Sequence, residues 1–323
     1  MITLKINENE AGQRLDRFLK KYLKTAPLSF IYRVIRKDAK LNNKRASKNT
    51  IIAEGDELIL YLSDSQISEF TKPPKKRNAK KEFTVIFEDE NVLIVDKPAG
   101  LLTHGDKIEK KNTLANQVIA YLTESESFDP GSEKTFSPAP VNRLDRNTSG
   151  LVIFGKSYEG LKELNRLLRI RTAVEKYYLT VVIGDLKNEM TLKNKMIKDE
   201  IKNKVKILPE DSDTGSLMET VVRPISGNGK YTLTEIKLVT GRTHQIRAHL
   251  SEIGYPIIGD KKYGNAQNNG IMINKYGLTS QFLHAYKLFF RQSGDKLSYL
   301  RGKEFKSPLP KKLHVIGDDI GVL

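Results

Sequence analysis

The sequence predicts an α+β fold: a mostly antiparallel mixed sheet with flanking helices, preceded by a small N-terminal α/β module. Three features of the 323 residues carry this reading. Strand-like runs outnumber helical ones, the two kinds do not alternate strictly as a doubly wound fold requires, and residues 1–62 carry their own pattern of two helices and a hairpin.

In the N-terminal module, Leu15, Phe18, Leu19, Tyr22 and Leu23 recur at helical spacing, with Arg14, Arg17, Lys20, Lys21 and Lys24 on the other face. Pro27 opens a second helix. Its apolar side is Ile31, Val34 and Ile35, and Arg33, Arg36 and Lys37 lie outside it. Asn42-Asn43 reads as a turn and residues 58–62 as a strand. Residues 63–82 lack apolar periodicity. Two prolines and six basic residues between Lys72 and Lys81 favour an extended basic linker.

The third segment, residues 83–323, begins with two apolar runs, 83–87 and 92–95, joined as a hairpin. A helix over 113–122, a strand over 151–154 and a helix around Leu161, Leu164, Leu167 and Leu168 follow. Residues 177–183, 231–239 and 283–290 are strands rich in Val, Ile, Tyr and Thr. Residues 244–253 form a helix stopped by Gly254 and Pro256. The polar stretch 265–278 carries no assignable pattern.

The formal net charge is +16, which points to a polyanionic partner, nucleic acid before membrane. Residues 1–62 alone hold 13 Lys/Arg against 7 Asp/Glu. The absence of Cys excludes disulfide scaffolds, thiolate zinc sites and cysteine nucleophiles. The N-terminus lacks the pattern of a signal peptide, and apolar runs stop at four or five residues, so a cytoplasmic protein without a membrane partner is expected. His244 and His249 are five apart rather than four and no Glu follows His244, so no metal site is expected. Residues 150–157 match the spacing of a phosphate-binding loop, but the interior is an apolar strand-like run, so nucleotide hydrolysis is rejected.

Residues 141–150, VNRLDRNTSG, are the most informative. Arg143 and Asp145 share parity and face one side of an extended segment. Arg143 and Arg146 flank one carboxylate, a neighbourhood that suits a nucleophile or base. In 240–250, Arg242 opens a helix and Arg247 lies within it. A buried Arg there demands a carboxylate partner, for which Asp145 is a candidate.

Residues 142–150 resemble the H-R-L-D-x-x-T-S-G motif of the RluA family of pseudouridine synthases. Residues 176–184 resemble its K-x-Y strand and residues 240–250 its G-R-T-H-Q-I-R segment, joined by residues 97–101, 254–260, 263–264 and 283–285. Residues 1–62 resemble the alpha-L RNA-binding domain. The opening AGQRLD and IYR favour the branch that acts on large-subunit (23S) ribosomal RNA. Asn142 departs from the motif, which usually has His there.

The resemblance implies a pseudouridine synthase fold and cofactor-free isomerisation of uridine to pseudouridine in RNA, by a monomer that flips the base out of its stack. Asp145 would be the essential carboxylate, which either attacks C1′ or removes the 2′ proton once the N1–C1′ bond has broken. Arg247 would pair with Asp145. Tyr178 would pack on the flipped base and serve a late proton transfer. Leu283 would pack near the base, and Arg143 would fill the gap left in the RNA. Arg14, Arg17, Arg33, Arg36, Lys37 and Arg242 would bind RNA. The alternative is an RNA-binding or ribosome-assembly protein with a silent site.

Overall fold

The computed structural model describes residues 1–72, 80–130, 135–199 and 204–323. The chain divides into two compact units. One comprises Met1–Lys80 with Asn116–Pro138, the other Lys81–Ala115 with Ala139–Leu323.

The first unit runs β1 (Ile2–Lys5), α1 (Leu15–Tyr22), α2 (Leu28–Arg33) continuing into a π-turn over Val34–Asp38, β2 (Ala39–Leu41), β3 (Glu57–Leu60) and α3 (Asp64–Thr71). The strands pair antiparallel in the order β1-β3-β2. Leu15, Phe18, Leu19, Tyr22 and Leu23 are all buried, as their spacing predicts, together with Ile31, Val34 and Ile35. Asn42 and Asn43 both take left-handed φ, at 50° and 61°, a conformation Asn tolerates better than most residues.

The expected linker needs a correction. Its first part is helix α3, capped by a reciprocal box in which Ser63 accepts from the Gln66 N–H and the Gln66 side chain accepts from the Ser63 N–H. Ile67 and Phe70 pack against the module's core, with the Phe30 and Phe70 rings 4.5 Å apart. Two apolar residues in two turns are too few to register as a period, so the cap was the only readable signal. Residues 73–79, most of the lysine-proline stretch, lie outside the described residues.

From residue 84 the order is β4 (Thr84–Glu88), β5 (Val92–Lys97), α4 (Leu114–Glu124), β6 (Ala139–Pro140), β7 (Ser149–Gly155), α5 (Tyr158–Arg169), β8 (Val174–Ile183), β9 (Met190–Asp199), β10 (Lys204–Leu208), β11 (Ser216–Gly227), β12 (Tyr231–Leu238), α6 (Gln245–Glu252), α7 (Ala266–Tyr276), β13 (Leu283–Phe290), β14 (Glu304–Lys306) and α8 (Lys311–Asp319). An 11-stranded sheet runs β10-β9-β11-β12-β8-β13-β7-β5-β4, with β6 on β7 and β14 on β13. Among the described strands only β7 and β13 pair in parallel, so the sheet is mixed and mostly antiparallel. Val92, Ile94, Leu151, Ile153, Leu164, Leu167, Leu288 and Phe290 form one buried cluster that seats α5 on the sheet. No helix among the described residues is long and apolar enough to cross a membrane.

Two features of β7 matter for the site. Gly150 pairs with Ala285 at φ +114°, and a Cβ there would lie 2.2 Å from the Ala285 carbonyl oxygen, so only glycine lets the strands approach. The stretch with phosphate-loop spacing is this buried strand, and Lys156 pairs with Glu88 at 2.6 Å instead of facing an open loop.

Candidate active site

Asp145 lies in the irregular segment between β6 and β7, where Thr148 N–H closes a turn on the Asp145 carbonyl at 3.1 Å. Three braces hold this segment. Asn142 donates its amide to the Leu151 carbonyl (3.2 Å) and accepts the Ile153 N–H (2.8 Å), so its side chain stands in for a neighbouring strand. Thr103 Oγ1 both donates to the Leu144 carbonyl and accepts from the Leu144 N–H, at 3.1 and 3.2 Å. Lys97 is fully buried, and its ammonium donates to the carbonyls of Pro98, Leu101 and Arg146. Burial pushes the Lys97 amine down to about 7, against the opposing pull of Asp145 and Asp96.

Arg247 projects from α6 to the same place. Its Nε and Nη2 make a two-pronged bond to Asp260 at 2.6 and 2.9 Å, which leaves Nη1 to reach Asp145 Oδ2 at 2.9 Å. The expected Arg247–Asp145 contact is therefore present, with a second carboxylate behind it. Asp260 is fully buried and also accepts the N–H groups of Lys262 and Tyr263 at 2.8 and 3.1 Å. Burial alone would raise its pKa. Arg247 and the two backbone donors outweigh that and hold it below the ordinary value. The same carboxylates raise the pKa of Arg247 despite its burial. Asp260 and Gln245 were not singled out from sequence. Gln245 accepts from the Thr240 hydroxyl and the Arg242 N–H and donates to Glu219 and Thr220, which fixes the start of α6. Asp260 ends the stretch 254–260 that takes part in the family resemblance, but its Gly-Asp step is shared by many surface turns and does not reveal Arg247 as its partner.

A cavity of about 250 Å³ opens beside Asp145, lined by Arg143, Tyr178, Arg242, His244, Arg247 and Leu283 among others. A second, of about 550 Å³, shares Arg143, Asp145, His244 and Arg247 and adds Arg146, Lys261 and Lys262. Tyr178 stands on β8 opposite Ile236 and is buried. Desolvation, reinforced by Asp145, raises its phenol well above the usual range, so it stays protonated. Leu283, buried at the start of β13, completes an apolar wall. Arg143 is exposed and lines both cavities together with Asp145. Arg146 departs from the expectation: it pairs with Asp106 at 3.4 Å, because it lies within the turn that Thr148 closes on Asp145 rather than in an extended segment. Arg242 lies before α6, which begins at Gln245; it is exposed and donates to the Leu217 carbonyl.

In the first unit Arg17, Arg33, Arg36 and Lys37 are exposed. Arg33 lies 4.6 Å above the Phe30 ring. Arg14 differs: it makes a two-pronged pair with buried Asp16, both bonds at 3.0 Å. No cluster of three or more potential metal ligands occurs among the described residues. His284 is held between Ser149 (2.9 Å) and the Ser307 carbonyl (3.2 Å), and His249 by Thr220 (2.9 Å).

The family model described as RNA pseudouridylate synthase matches residues 91–252. Proteins named ribosomal large subunit pseudouridine synthase C are similar over most of the chain. That of Vibrio vulnificus is 31% identical, covering 96% of this chain and 94% of its own. That of Haemophilus influenzae is 33% identical, covering 92% and 89%, and that of Pasteurella multocida 34%, covering 89% and 85%. The solved structure of human RNA pseudouridylate synthase domain containing 4 superposes with a TM-score of 0.57 at 19% identity, covering 73% of this chain and 92% of that one, a likeness of fold.

Proposed function

The chain belongs to the RNA pseudouridylate synthase family, and from that premise we propose that it converts uridines of large-subunit (23S) ribosomal RNA to pseudouridine, with Asp145 as the reacting carboxylate. The observation that carries this reading is the arrangement Asp260–Arg247–Asp145 at the edge of a cavity with one aromatic and one aliphatic wall. The buried pair orients a single carboxylate oxygen toward the space where a ribose C1′ can stand. Tyr178 and Leu283 sandwich the flipped base, and the phenol, kept neutral, serves as a donor. Arg143 at the mouth takes the place the base vacated in the RNA stack. The reaction breaks N1–C1′ and joins C5 to C1′ within one nucleotide. The experiment is incubation of the purified protein with unmodified large-subunit RNA and no added cofactor, followed by detection of pseudouridine. Pseudouridine at discrete sites is expected. RNA binding without any pseudouridine would favour the assembly-protein reading.

We further propose that residues 1–62 form an alpha-L RNA-binding domain and 83–323 the catalytic domain, with 63–82 between them beginning as α3 on the first module's core; the compact units differ from these bounds in grouping Asn116–Pro138 with the first. The exposed cations Arg17, Arg33, Arg36 and Lys37 support this reading of the first module. Replacing all four by Gln should weaken RNA binding and flatten the slope of log affinity against log salt by about 0.7–0.9 for each phosphate that is no longer neutralised. Filter binding over a series of salt concentrations reads this, and an unchanged slope assigns those cations to another role.

A further inference from the structure

His244 precedes α6 with φ 53° and ψ 18°, a left-handed conformation that a non-glycine residue holds only where its surroundings fix it. Its surroundings fix the ring. Nδ1 lies 3.1 Å from the Tyr263 hydroxyl, and the two rings meet edge-on at 5.6 Å. The Tyr263 oxygen already accepts the Val205 N–H at 2.8 Å, which leaves the phenol proton to be donated to His244 Nδ1. With Nδ1 the acceptor, Nε2 carries the imidazole hydrogen. That Nε2 stands 3.9 Å from Asp145 Oδ2, beyond hydrogen-bond range, and His244 borders both cavities that Asp145 borders. The N–H is thus directed to the place of the substrate without being consumed by the carboxylate.

The groups facing His244 are Asp145, Arg247, Lys262, Asp260 and Tyr263. Burial, the largest influence, pushes the imidazole down to about 4, so it is neutral at physiological pH. Neutrality suits the site. An imidazolium would pair with Asp145, compete with Arg247 and blunt the carboxylate.

This inference rests on the proposed isomerisation. When N1–C1′ breaks, the bonding pair stays on the uracil, and the resulting anion is delocalised onto O2 and O4. O2 is bonded to the carbon next to N1, so as the bond breaks, before the base turns to present C5, it is the carbonyl nearest C1′. We propose that His244 is a further catalytic residue, which donates its Nε2–H to uracil O2 and stabilises the uracil anion formed as the glycosidic bond breaks. No proton leaves the imidazole. The charge on the base is discharged when C5 bonds to C1′, and the C5 proton is lost in a later step.

The test uses the full-length protein and an RNA carrying one target uridine. His244→Asn keeps a residue that tolerates the left-handed backbone, but its amide is too short to reach O2. Its kcat should fall about 10²–10³-fold with little change in KM, the scale of losing one preorganised donor to a developing anion. His244→Gln, which restores an N–H at longer reach, should recover at least about tenfold, since a partly realigned donor regains more than ~1.4 kcal/mol. Replacing the target by 2-thiouridine, whose sulfur accepts poorly, should slow the wild type but not the His244→Asn enzyme further. A His244→Asn enzyme as fast as wild type, or fully additive effects of the variant and the thio substitution, overturns the proposal. If His244→Asn melts well below wild type, Tyr263→Phe takes its place: it keeps the imidazole and removes the hydroxyl that sets its tautomer. It should lower kcat and blunt the thio effect, and an undiminished thio effect counts against the proposal. A wild type that makes no pseudouridine refutes the isomerase reading itself. An active wild type with an indifferent His244→Asn refutes only the role of His244.

Discussion

Asp145→Asn should lower pseudouridine formation by at least about 10⁴-fold, the scale on which removing a reacting group acts, while RNA affinity stays nearly unchanged. The amide keeps the shape and one acceptor oxygen for Arg247 Nη1, which sits 2.9 Å from Oδ2. What it loses is the nucleophile or base. The fold should tolerate the change, because Arg247 keeps its two bonds to Asp260 and the segment keeps its braces from Asn142, Thr103 and Lys97. Single-turnover assays with saturating enzyme read the chemistry, and gel shifts read the affinity. Activity within tenfold of wild type, a barrier change of only ~1.4 kcal/mol, would remove Asp145 from its role.

Arg247→Met should cost both activity and stability. The methionine fills much of the volume but leaves the fully buried Asp260 carboxylate without its cation. Truncating one partner of a buried pair costs about 3–5 kcal/mol, and for a unit of this size that is a fall of roughly 6–20 °C in Tm. The pH dependence has a definite sign. In the wild type Asp260 titrates below its ordinary value of 3.8, so it contributes stability at higher pH that is lost as pH falls through the lowered value. In the variant, burial acts without Arg247 and the folded pKa rises above the unfolded one. The carboxylate then destabilises at neutral pH, and the penalty is relieved as pH falls toward the raised value. The gap in Tm between variant and wild type should therefore be wider at neutral pH than in mild acid. Arg242→Met, at an exposed position, should leave Tm nearly unchanged. An Arg247→Met protein that melts like wild type would show that the buried pair contributes nothing.

Much of the fold was readable because it rests on strong periodicity. The stripe over 15–23 buries every residue that its spacing selects, the run around Leu164 buries Leu164 and Leu167, the turn after Glu88 joins β4 to β5 as a hairpin, and 283–290 is a strand. The elements that escaped have weak patterns for identifiable reasons. Strand β9 lies near the sheet edge and fully buries only Met196, so its sequence MTLKNKMIKD carries almost no alternation of polarity. Helix α7, AQNNGIMINKY, turns amides inward: Asn268 donates to the Tyr231 hydroxyl, and Asn269 donates to the Asp260 carbonyl and accepts the Gly259 N–H. Its ends are set by the Asn265 cap and by Gly277 in the left-handed region. A hydrophobic stripe cannot reveal a helix whose buried face is partly polar.

The same division holds in the site. Residue order was enough to nominate Asp145, Tyr178, Arg247, Arg143 and Leu283, because their types sit in compact motifs whose resemblance to a family is specific. Which of these groups touch, and in what protonation state, came from tertiary structure. Asp145 and Arg247 are 102 positions apart and meet at 2.9 Å only because the loop before β7 and helix α6 converge beside Tyr178, midway along β8. Asp260 becomes the anchor of Arg247 only when burial removes water as a competitor. His244 becomes a neutral donor only when Tyr263, itself held by the Val205 N–H of β10, fixes its tautomer. Local sequence sets side-chain chemistry and backbone preference over a few residues. Desolvation and long-range hydrogen bonds depend on which distant surfaces meet, and those are properties of the packed chain.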